Sequence, residues 1–330
     1  MGIVPRGFVG NISRDVARIR LRDEHDSSFW YQLLQSVVAQ ETLQLAAVGT
    51  TRQELSIGTL KNLRFRFPDK AAQQQIGRVL ADVDEFIATL ERLIAKKQAI
   101  RQGLMQQLLT GRARLPGFDA AWADARLGEH VTYIKTVALS RAQLDFTSPL
   151  KYLHYGDIHT SSQIFLDAAD TEMPRTPIIL ASAAGRLQVG DVVFADASED
   201  ADGVGKSMEV TSVPLQGVVP GLHTIAARFD KAVLTDGFKA YLQFIPAFRK
   251  SLLRLAAGTK VLATTRSYIS SVTVSLPPID EQRAIAQVLI DSGREIEAIV
   301  RRLDKAKAIK QGMMQELLTG RTRLTVESVS

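Results

Sequence analysis

The sequence predicts an α+β protein in which mixed α/β domains are joined by two long, antiparallel, coiled-coil-like helices. Three observations predict this fold class. Residues 68–115 return as residues 277–324, with 22 of 48 positions identical at a constant offset of 209. In both copies apolar residues recur in steps of three and four, as on one face of a helix. Between the copies, short apolar runs alternate with turn residues, which is typical of strands.

Each copy of the repeat is predicted to form one helix of ~40 residues, or ~60 Å at 1.5 Å per residue. Asp69 can accept hydrogen bonds from the first helical amides, and Gly111 and Gly320 stand where a helix-ending glycine is expected. The residues predicted to pack the helix pair share one apolar face in each copy: Ile76, Leu80, Val83, Ile87, Leu90, Ile285, Leu289, Ile296, Ile299 and Leu303.

An amphipathic helix of this length cannot bury its apolar stripe alone, so it needs a partner. Because the two copies lie in one chain and the residues between them let the chain return, we expect an antiparallel pair within the chain. Pairing between two copies of the chain is the alternative. Either arrangement makes the helices a rigid spacer.

The repeat continues upstream of the helices, which predicts the domain organisation. Gly49-Thr50 matches Gly258-Thr259 at the same offset, and Tyr31 matches Tyr241 with one residue slipped. The region before the first helix therefore corresponds to the last part of the domain that precedes the second. The predicted divisions are 1–67 (partial domain), 68–116 (helix), 117–276 (complete domain), 277–324 (helix) and 325–330 (tail).

The complete domain is predicted to be a mixed α+β domain with a twisted sheet. Alternating or continuous apolar runs predict strands at 131–134, 188–194, 208–213 and 271–276. A single helix is predicted from Phe238 to Ala257, because its apolar residues share one face.

Composition narrows the possible functions. The chain has 330 residues, a net charge of +6 and no cysteine, which excludes disulfides, cysteine-ligated zinc, iron–sulfur clusters and thiol nucleophiles. It has neither a signal-peptide core at its start nor an apolar run of the ~20 residues that a membrane span needs, so we expect a cytoplasmic protein. One basic stretch is compatible with nucleic acid, or with ordinary solvated surface: Arg228, Lys231, Lys239, Arg249, Lys250, Arg254, Lys260 and Arg266.

Several motifs that suggest other chemistry are incomplete. The segment from Ser198 to Glu209 matches most of a calcium loop but lacks its first aspartate, and Gly205-Lys206-Ser207 lacks the first glycine of a phosphate loop. The five histidines show no helical metal spacing. We therefore expect no metal site, no catalytic residues and no cofactor in this chain.

Several motifs stand at the boundaries of the second helix and in the middle domain: Pro277-Pro278-Ile279-Asp280-Glu281-Gln282, Leu317-Leu318-Thr319-Gly320-Arg321, Tyr155-Gly156-Asp157-Ile158-His159-Thr160, the run 190–200 and Gly221-Leu222-His223-Thr224. Together with the repeat, they resemble the specificity subunit (HsdS) of type I restriction–modification systems. The start of the first helix departs from the family pattern at Ala72, where glutamate is usual. Only 67 residues precede this helix, which implies a first recognition domain truncated at its N-terminus.

The resemblance implies a non-catalytic subunit that binds a half-site of double-stranded DNA through 117–276. Its long helices would hold methyltransferase subunits, expected to be two, and through them a restriction and translocation subunit. S-adenosylmethionine, Mg and ATP would belong to those partners. A self-associating half-subunit and an assembly scaffold that reads no DNA are the alternatives. The candidate DNA-binding residues are Lys135, Tyr155, His159, Lys206, His223, Lys260 and Arg266.

Overall fold

A computed structural model describes residues 1–5, 7–11, 13, 16–49, 54–198, 200–256 and 262–324. It confirms the predicted α+β fold with two long helices. Unit 1 consists of residues 1–97 with 295–330, and unit 2 of residues 98–294. In chain order the helices are α1 (Ser27–Gln35), α2 (Val37–Ala46), α3 (Ile57–Asn62), α4 (Lys70–Leu108), α5 (Tyr155–His159), α6 (Pro246–Ala256), α7 (Arg266–Ser271) and α8 (Ile279–Leu318).

The strands lie in unit 2, between the two long helices. In chain order they are β1 (Ala123–Arg126), β2 (Val131–Ile134), β3 (Leu150–Leu153), β4 (Phe165–Asp167), β5 (Arg175–Thr176), β6 (Val192–Ala195), β7 (Ala197–Ser198), β8 (Ser207–Ser212), β9 (Val218–Pro220), β10 (Thr224–Phe229), β11 (Leu262–Ala263) and β12 (Thr273–Leu276). Short 3₁₀ turns follow at Leu127–Glu129, Arg141–Gln143, Ile178–Ala181 and Lys239–Phe244.

The largest sheet has the strand order β2-β10-β6-β8-β4. β10 is antiparallel to both β2 and β6, β6 is antiparallel to β8, and β4 is parallel to β8. Three smaller sheets pair β1 with β12, β11 with β7, and β3 with β5 and β9. The largest sheet is covered on both faces, since Val192 and Phe194 belong to one buried cluster and Val193 and Ala195 to another.

In unit 1, α4 and α8 run antiparallel. Ile87 and Leu90 of α4 are buried against Ile299 and Leu303 of α8, with Val83 partly buried beside them. Nearer the start of α4 and the end of α8, a second cluster joins Ile76, Leu80 and Phe29 to Leu317 and Leu318. Ion pairs follow the same register: Lys97–Glu295 (2.7 Å), Glu91–Lys307 (2.8 Å) and Asp84–Lys310 (2.7 Å).

In unit 2, the other parts of α4 and α8 pack into the core of the mixed domain. Ile285 and Leu289 of α8 are buried in one cluster with Leu108 and Leu109, at the end of α4. Phe238 belongs to the same cluster and is fully buried. The remaining predicted packing residue, Ile296 of α8, is 8% exposed.

Equivalent glutamines hold the beginnings of the two long helices. Gln73 donates from Nε2 to the carbonyl of Pro68 (2.8 Å) and accepts from the amide of Asp26 (3.0 Å). The same two contacts, at 3.0 Å each, recur 209 residues later among Gln282, Pro277 and Thr235. The repeat is therefore a repeat of tertiary contacts as well as of sequence.

These contacts correct the alignment upstream of the helices. Matching Tyr31 with Tyr241 needed an offset of 210, whereas the glutamine contacts keep 209. At that offset Phe29 corresponds to Phe238, and both side chains are fully buried. α3 corresponds to α7 residue by residue as well. The one-residue shift of the alignment is unnecessary, because the burial of the side chains identifies the equivalent positions more directly than residue identity does.

The helix boundaries follow the predicted signals. Oδ1 of Asp69 accepts from the amide of Ala72 at 2.9 Å, which caps the first turn of α4. Gly111 and Gly320 have φ angles of 68° and 74°, the left-handed conformation that ends a helix at least cost in glycine.

The two helix beginnings differ at one buried charge. Glu281 is fully buried and accepts two hydrogen bonds from Arg114, at 2.5 and 2.7 Å, while Trp122 stacks near the guanidinium. The equivalent positions in unit 1 are Ala72 and Arg323, which cannot form this pair. The buried ion pair is therefore present in one copy only.

Several predicted elements have different bounds in the structure; the strand predicted at 188–194, for example, begins only at Val192. The single helix predicted from Phe238 is instead the 3₁₀ turn Lys239–Phe244 followed by α6, with Ile245 extended between them (ψ 119°). Pro246 explains the break, since proline disfavours helical backbone in the residue before it. The strand predicted at 271–276 is shorter, because α7 extends through Ser271.

None of the helices in the described ranges is both long and apolar enough to cross a membrane.

Glu209 links β8 to the 3₁₀ turn and should make stability depend on pH. Its carboxylate is buried and accepts from the amides of Gly237 (2.6 Å) and Ala240 (2.9 Å), and burial raises its pKa from 4.5 to about 7. Between these values the unfolded carboxyl is ionised while the folded one keeps its proton. Rising pH therefore lowers the free energy of unfolding, by at most ~1.4 kcal/mol per pH unit.

Urea denaturation of the wild type and Glu209→Gln between pH 4.5 and 7.5 checks this expectation. The wild type should lose stability relative to the variant as the pH rises, because glutamine does not titrate. A stability difference that stays constant across this range would contradict it.

Candidate nucleic-acid interface

The strand order of the largest sheet brings segments that are distant in the sequence together at one end of its strands. Because β2, β10, β6 and β8 are successively antiparallel, the end of β2, the start of β10, the end of β6 and the start of β8 are neighbours. The register confirms this: Ile134 pairs with Ala226, Ala195 with Thr224, and Phe194 with Ser207. We call this the polar edge and define it by the residues next to those strand ends: Lys135, Asp196, Lys206 and His223.

His223 immediately precedes β10 and has an unusual backbone conformation. Its φ is 57°, the one left-handed angle of a non-glycine residue in the described ranges. The exposed imidazole lies with Nδ1 3.3 Å from Oδ2 of Asp196, and its ring centroid is 5.6 Å from that of Tyr155. If Nδ1 carries the hydrogen that Asp196 accepts, the neutral ring presents Nε2 to solvent as an acceptor.

A buried tyrosine holds the backbone beneath His223. The hydroxyl of Tyr152 accepts from the amides of Leu222 (2.6 Å) and Leu139 (3.1 Å) and donates to the carbonyl of Val137 (2.9 Å). The ring is fully buried and lies so close to Gly221 that a Cβ there would be 2.3 Å from it. The turn is therefore fixed by the hydrogen bond to Leu222 and by close packing, and the other two hydrogen bonds connect it to residues 137–139.

Helix α5 carries two more candidate residues to the polar edge. His154 caps it by accepting from the amide of Gly156 at Nδ1 (3.1 Å), and burial lowers the pKa of this imidazole. The ring of Tyr155 lies between those of His154 and His223. His159, at the end of α5, accepts a hydrogen bond from Nζ of Lys206 at its carbonyl.

Lys206 lies at the mouth of a cleft beside β8. The turn before it is held by Asp200, whose Oδ1 accepts from the amide of Gly203 at 2.7 Å. Arg249 closes the other side and pairs with Asp202 at 2.6 Å. Charges of both signs line this cleft: His159, Asp200, Asp202, Lys206 and Arg249.

Arg266 and Lys135 occupy the outer corner of the polar edge. The guanidinium of Arg266 lies 5.6 Å from the ring centroid of Tyr133, whose hydroxyl donates to the carbonyl of Arg266 (2.8 Å). Thr265 caps α7 by accepting from the amide of Tyr268 (3.2 Å). Lys135 is exposed, and among the described residues its ammonium group has no carboxylate partner. Both cations are exposed and therefore available to a ligand.

The basic stretch predicted from the sequence is partly neutralised, since four of its eight cations pair with carboxylates. Arg228 pairs with the buried Asp191 at 2.7 Å, and Asp236, within the stretch, pairs with Lys231 (2.7 Å) and the buried Lys239 (2.6 Å). Arg249 pairs with Asp202. The stretch is therefore less basic at the surface than its sequence suggests, and its contribution to the polar edge is Arg266.

Of the candidate residues, the structure brings Lys135, Tyr155, Lys206, His223 and Arg266 to one region, with His159 contributing its carbonyl and lining the cleft. Lys260 lies outside the described residues. The residues that sequence reasoning missed are the supporting ones: Tyr133, Tyr152, Asp196 and Thr265. No local pattern marks the first three, because each acts through a partner distant in the chain, whereas Thr265 is a local helix cap that the sequence reasoning did not use. The described ranges contain no group of three or more His, Asp or Glu residues able to hold a metal ion.

Comparison with known proteins finds a matching family and similar sequences. Residues 7–100 match the family described as type I restriction modification DNA specificity domain. The chain is 21% identical over 303 residues to the type I restriction enzyme MjaVIII specificity subunit of Methanocaldococcus jannaschii, and 22% identical over 297 residues to the provisionally named MjaX subunit of that organism. These alignments cover 84% and 85% of the chain but 66% and 64% of the relatives, so the chain spans slightly less than two thirds of their length.

Solved structures share the fold. The S subunit of a type I restriction–modification system from M. genitalium superposes with a TM-score of 0.57 at 16% identity, covering 89% of this chain and 73% of that one. A chain from a study of complex assembly and conformational transition of a type I system gives 0.54 at 19% identity, covering 90% and 72%.

Proposed function

Because the chain belongs to the family of type I restriction–modification specificity subunits, we propose that it selects a DNA sequence for a methyltransferase. Unit 2 binds one half-site of double-stranded DNA through the polar edge. The long helices hold the methyltransferase subunits, and these in turn connect the chain to a restriction subunit. The chain itself is non-catalytic, and S-adenosylmethionine, Mg and ATP are bound by its partners.

The observation that carries this proposal is the convergence at the polar edge. Four strand ends from distant parts of the sequence place Lys135, Lys206, His223 and, beside them, Arg266 in one region. Cationic side chains fix a protein on DNA through phosphates, whereas polar side chains on rigid turns read base edges. The polar edge offers both kinds of group on a sheet that is buried on both faces.

The side chains divide between these two tasks. Lys135 is exposed and flexible, which suits phosphate contact. Arg266 is steered by Tyr133 and can present a planar fork to a guanine. His223 is oriented by Asp196 and can accept from an exocyclic amine or, when protonated, donate to a base acceptor.

Methylome sequencing tests the proposal as a whole. The chain is expressed with its methyltransferase subunit in a host without other DNA methyltransferases. We expect one methylated motif, which becomes degenerate at one position or disappears in the His223→Ala variant. Assembly of the complex without any methylated motif would favour the scaffold alternative, and a palindromic motif would favour the self-associating half-subunit.

The salt dependence of DNA binding tests the role of Lys135. Loss of one phosphate contact in Lys135→Gln should reduce the slope of log K against log salt by ~0.9 and weaken binding to all sequences alike. Lys231→Gln is the matched control, because it removes one exposed cation that follows β10 at the opposite end of the strand. Equal slopes for the two variants would show that DNA does not contact the polar edge at Lys135.

A further inference from the structure

An extended segment in unit 1 has a free backbone edge. Residues 64–67 follow α3 and lead into α4, with no strand partner assigned to them. Among the described residues, their amides and carbonyls form no backbone hydrogen bond. A run of unpaired amides and carbonyls is a template on which another strand can add.

The equivalent segment in unit 2 shows what such an edge accepts. At the offset of 209, residues 64–67 correspond to β12, which is paired along its whole length with β1 in antiparallel register. Phe67 corresponds to Leu276 and Phe65 to Val274. The two unit 2 residues are 4% and 0% exposed, whereas Phe67 is 49% exposed. The same element is therefore covered in one unit and uncovered in the other.

The surface beside the unpaired segment consists mainly of aromatic rings. Phe67 lies 5.3 Å from the ring of Trp30 and 5.1 Å from that of His25, and Phe65 lies 6.4 Å from Trp30. Leu324 packs into the same cluster. This surface offers apolar contact to alternate residues of an added strand, as Val274 and Leu276 do for β1.

The charge of the edge defines its partner. Arg64 and Arg66 alternate with the two phenylalanines and are exposed. In the described part of the chain, no carboxylate forms an ion pair with either guanidinium. In the register of β1 and β12, Arg66 takes the place of Ser275, which lies opposite Asp124, and Arg64 takes the place of Thr273, opposite Arg126. Carboxylates at both facing positions would complement the edge.

We propose that residues 64–67 are a docking edge that binds an extended segment of a partner polypeptide by antiparallel β-strand addition. The partner segment alternates small apolar residues, which lie on Phe65 and Phe67, with acidic residues, which face Arg64 and Arg66. This surface is separate from the polar edge, and its function does not depend on DNA binding.

The test uses the full chain and synthetic peptides of residues 119–127, the segment that contains β1. One peptide has the natural sequence, and a second carries Arg126→Glu, which places carboxylates opposite both arginines. Hydrogen–deuterium exchange is followed at the amides of residues 64–67. We expect saturable protection of at least tenfold by the acidic peptide, with its affinity about threefold above that of the natural peptide.

A charge exchange provides the control for register. Arg64→Glu should abolish the advantage of the acidic peptide, because the two peptides differ only at the residue opposite Arg64. Arg66→Glu should weaken both peptides alike, and a peptide with Asp124→Arg should recover binding to that variant. Since Arg64 and Arg66 are exposed, these substitutions leave the fold intact. Absence of protection by either peptide would overturn the proposal. Protection that rises with protein concentration in the absence of peptide would also overturn it, because the occupant would then be a second copy of this chain.

Discussion

Tyr152→Phe is expected to lower the free energy of unfolding of unit 2 by ~3 kcal/mol, the largest effect that removal of one atom should have in this chain. The hydroxyl accepts from the amides of Leu222 and Leu139. Each buried donor left without an acceptor costs ~1–3 kcal/mol. For a unit of this size the loss corresponds to a decrease in melting temperature of ~6–12 °C, measurable by thermal denaturation.

The matched control is Tyr155→Phe, which makes the same chemical change nearby. The described structure gives the Tyr155 hydroxyl no hydrogen bond, so its removal should change stability by less than ~0.5 kcal/mol. Gly221→Ala provides an independent check, because its methyl group would lie 2.3 Å from the buried Tyr152 ring. Equal stabilities of the two phenylalanine variants would show that Tyr152 does not hold the turn.

Leu80→Ala and Leu289→Ala should each lower the free energy of unfolding by ~3–4 kcal/mol. The first substitution acts in unit 1 and the second in unit 2. The two leucines are equivalent in the repeat, and both are fully buried. Leu80 packs with Phe29 in unit 1, whereas Leu289 packs with Phe238 in unit 2. Since no buried cluster contains both leucines, their effects should add.

Urea denaturation measures the loss in free energy of unfolding for each variant, and hydrogen exchange shows which unit is destabilised. Leu80→Ala should accelerate exchange in α1, and Leu289→Ala in the residues around Phe238. Leu45→Ala and Leu215→Ala are the controls, because these side chains are 89% and 97% exposed. If Leu80→Ala accelerated hydrogen exchange in β10 as strongly as in α1, the assignment of separate cores would be wrong.

The long helices could be predicted from the sequence because their signals are local. The stripe at steps of three and four, the cap at Asp69 and the glycine at 111 each act within a few residues. The prediction of one continuous helix from Phe238 was wrong, because it relied on the spacing of the apolar residues and not on Pro246. The backbone restriction that proline places on the residue before it breaks the helix, although the apolar pattern continues.

The candidate site could be predicted only in part, for a physical reason. Lys135 and Lys206 stand beside strands that the sequence predicts, whereas β10, which follows His223, was not predicted. The proximity of all three residues depends on the strand order β2-β10-β6-β8, which no local pattern contains. The same reason explains why the basic stretch is less basic at the surface than its sequence suggests. Arg228 is neutralised by Asp191, a partner 37 residues away. Charge counted along the chain therefore does not give charge at the surface.

The left-handed backbone at His223 has a consequence for how such a chain can diverge. Glycine and asparagine adopt this conformation at the least cost. A histidine codon becomes an asparagine codon by one nucleotide change, and asparagine is the side chain that pairs with adenine through two hydrogen bonds. If His223 reads a base as proposed, this single nucleotide substitution would change base preference at a position whose backbone conformation asparagine accommodates. A new specificity would then arise where the backbone does not oppose the change.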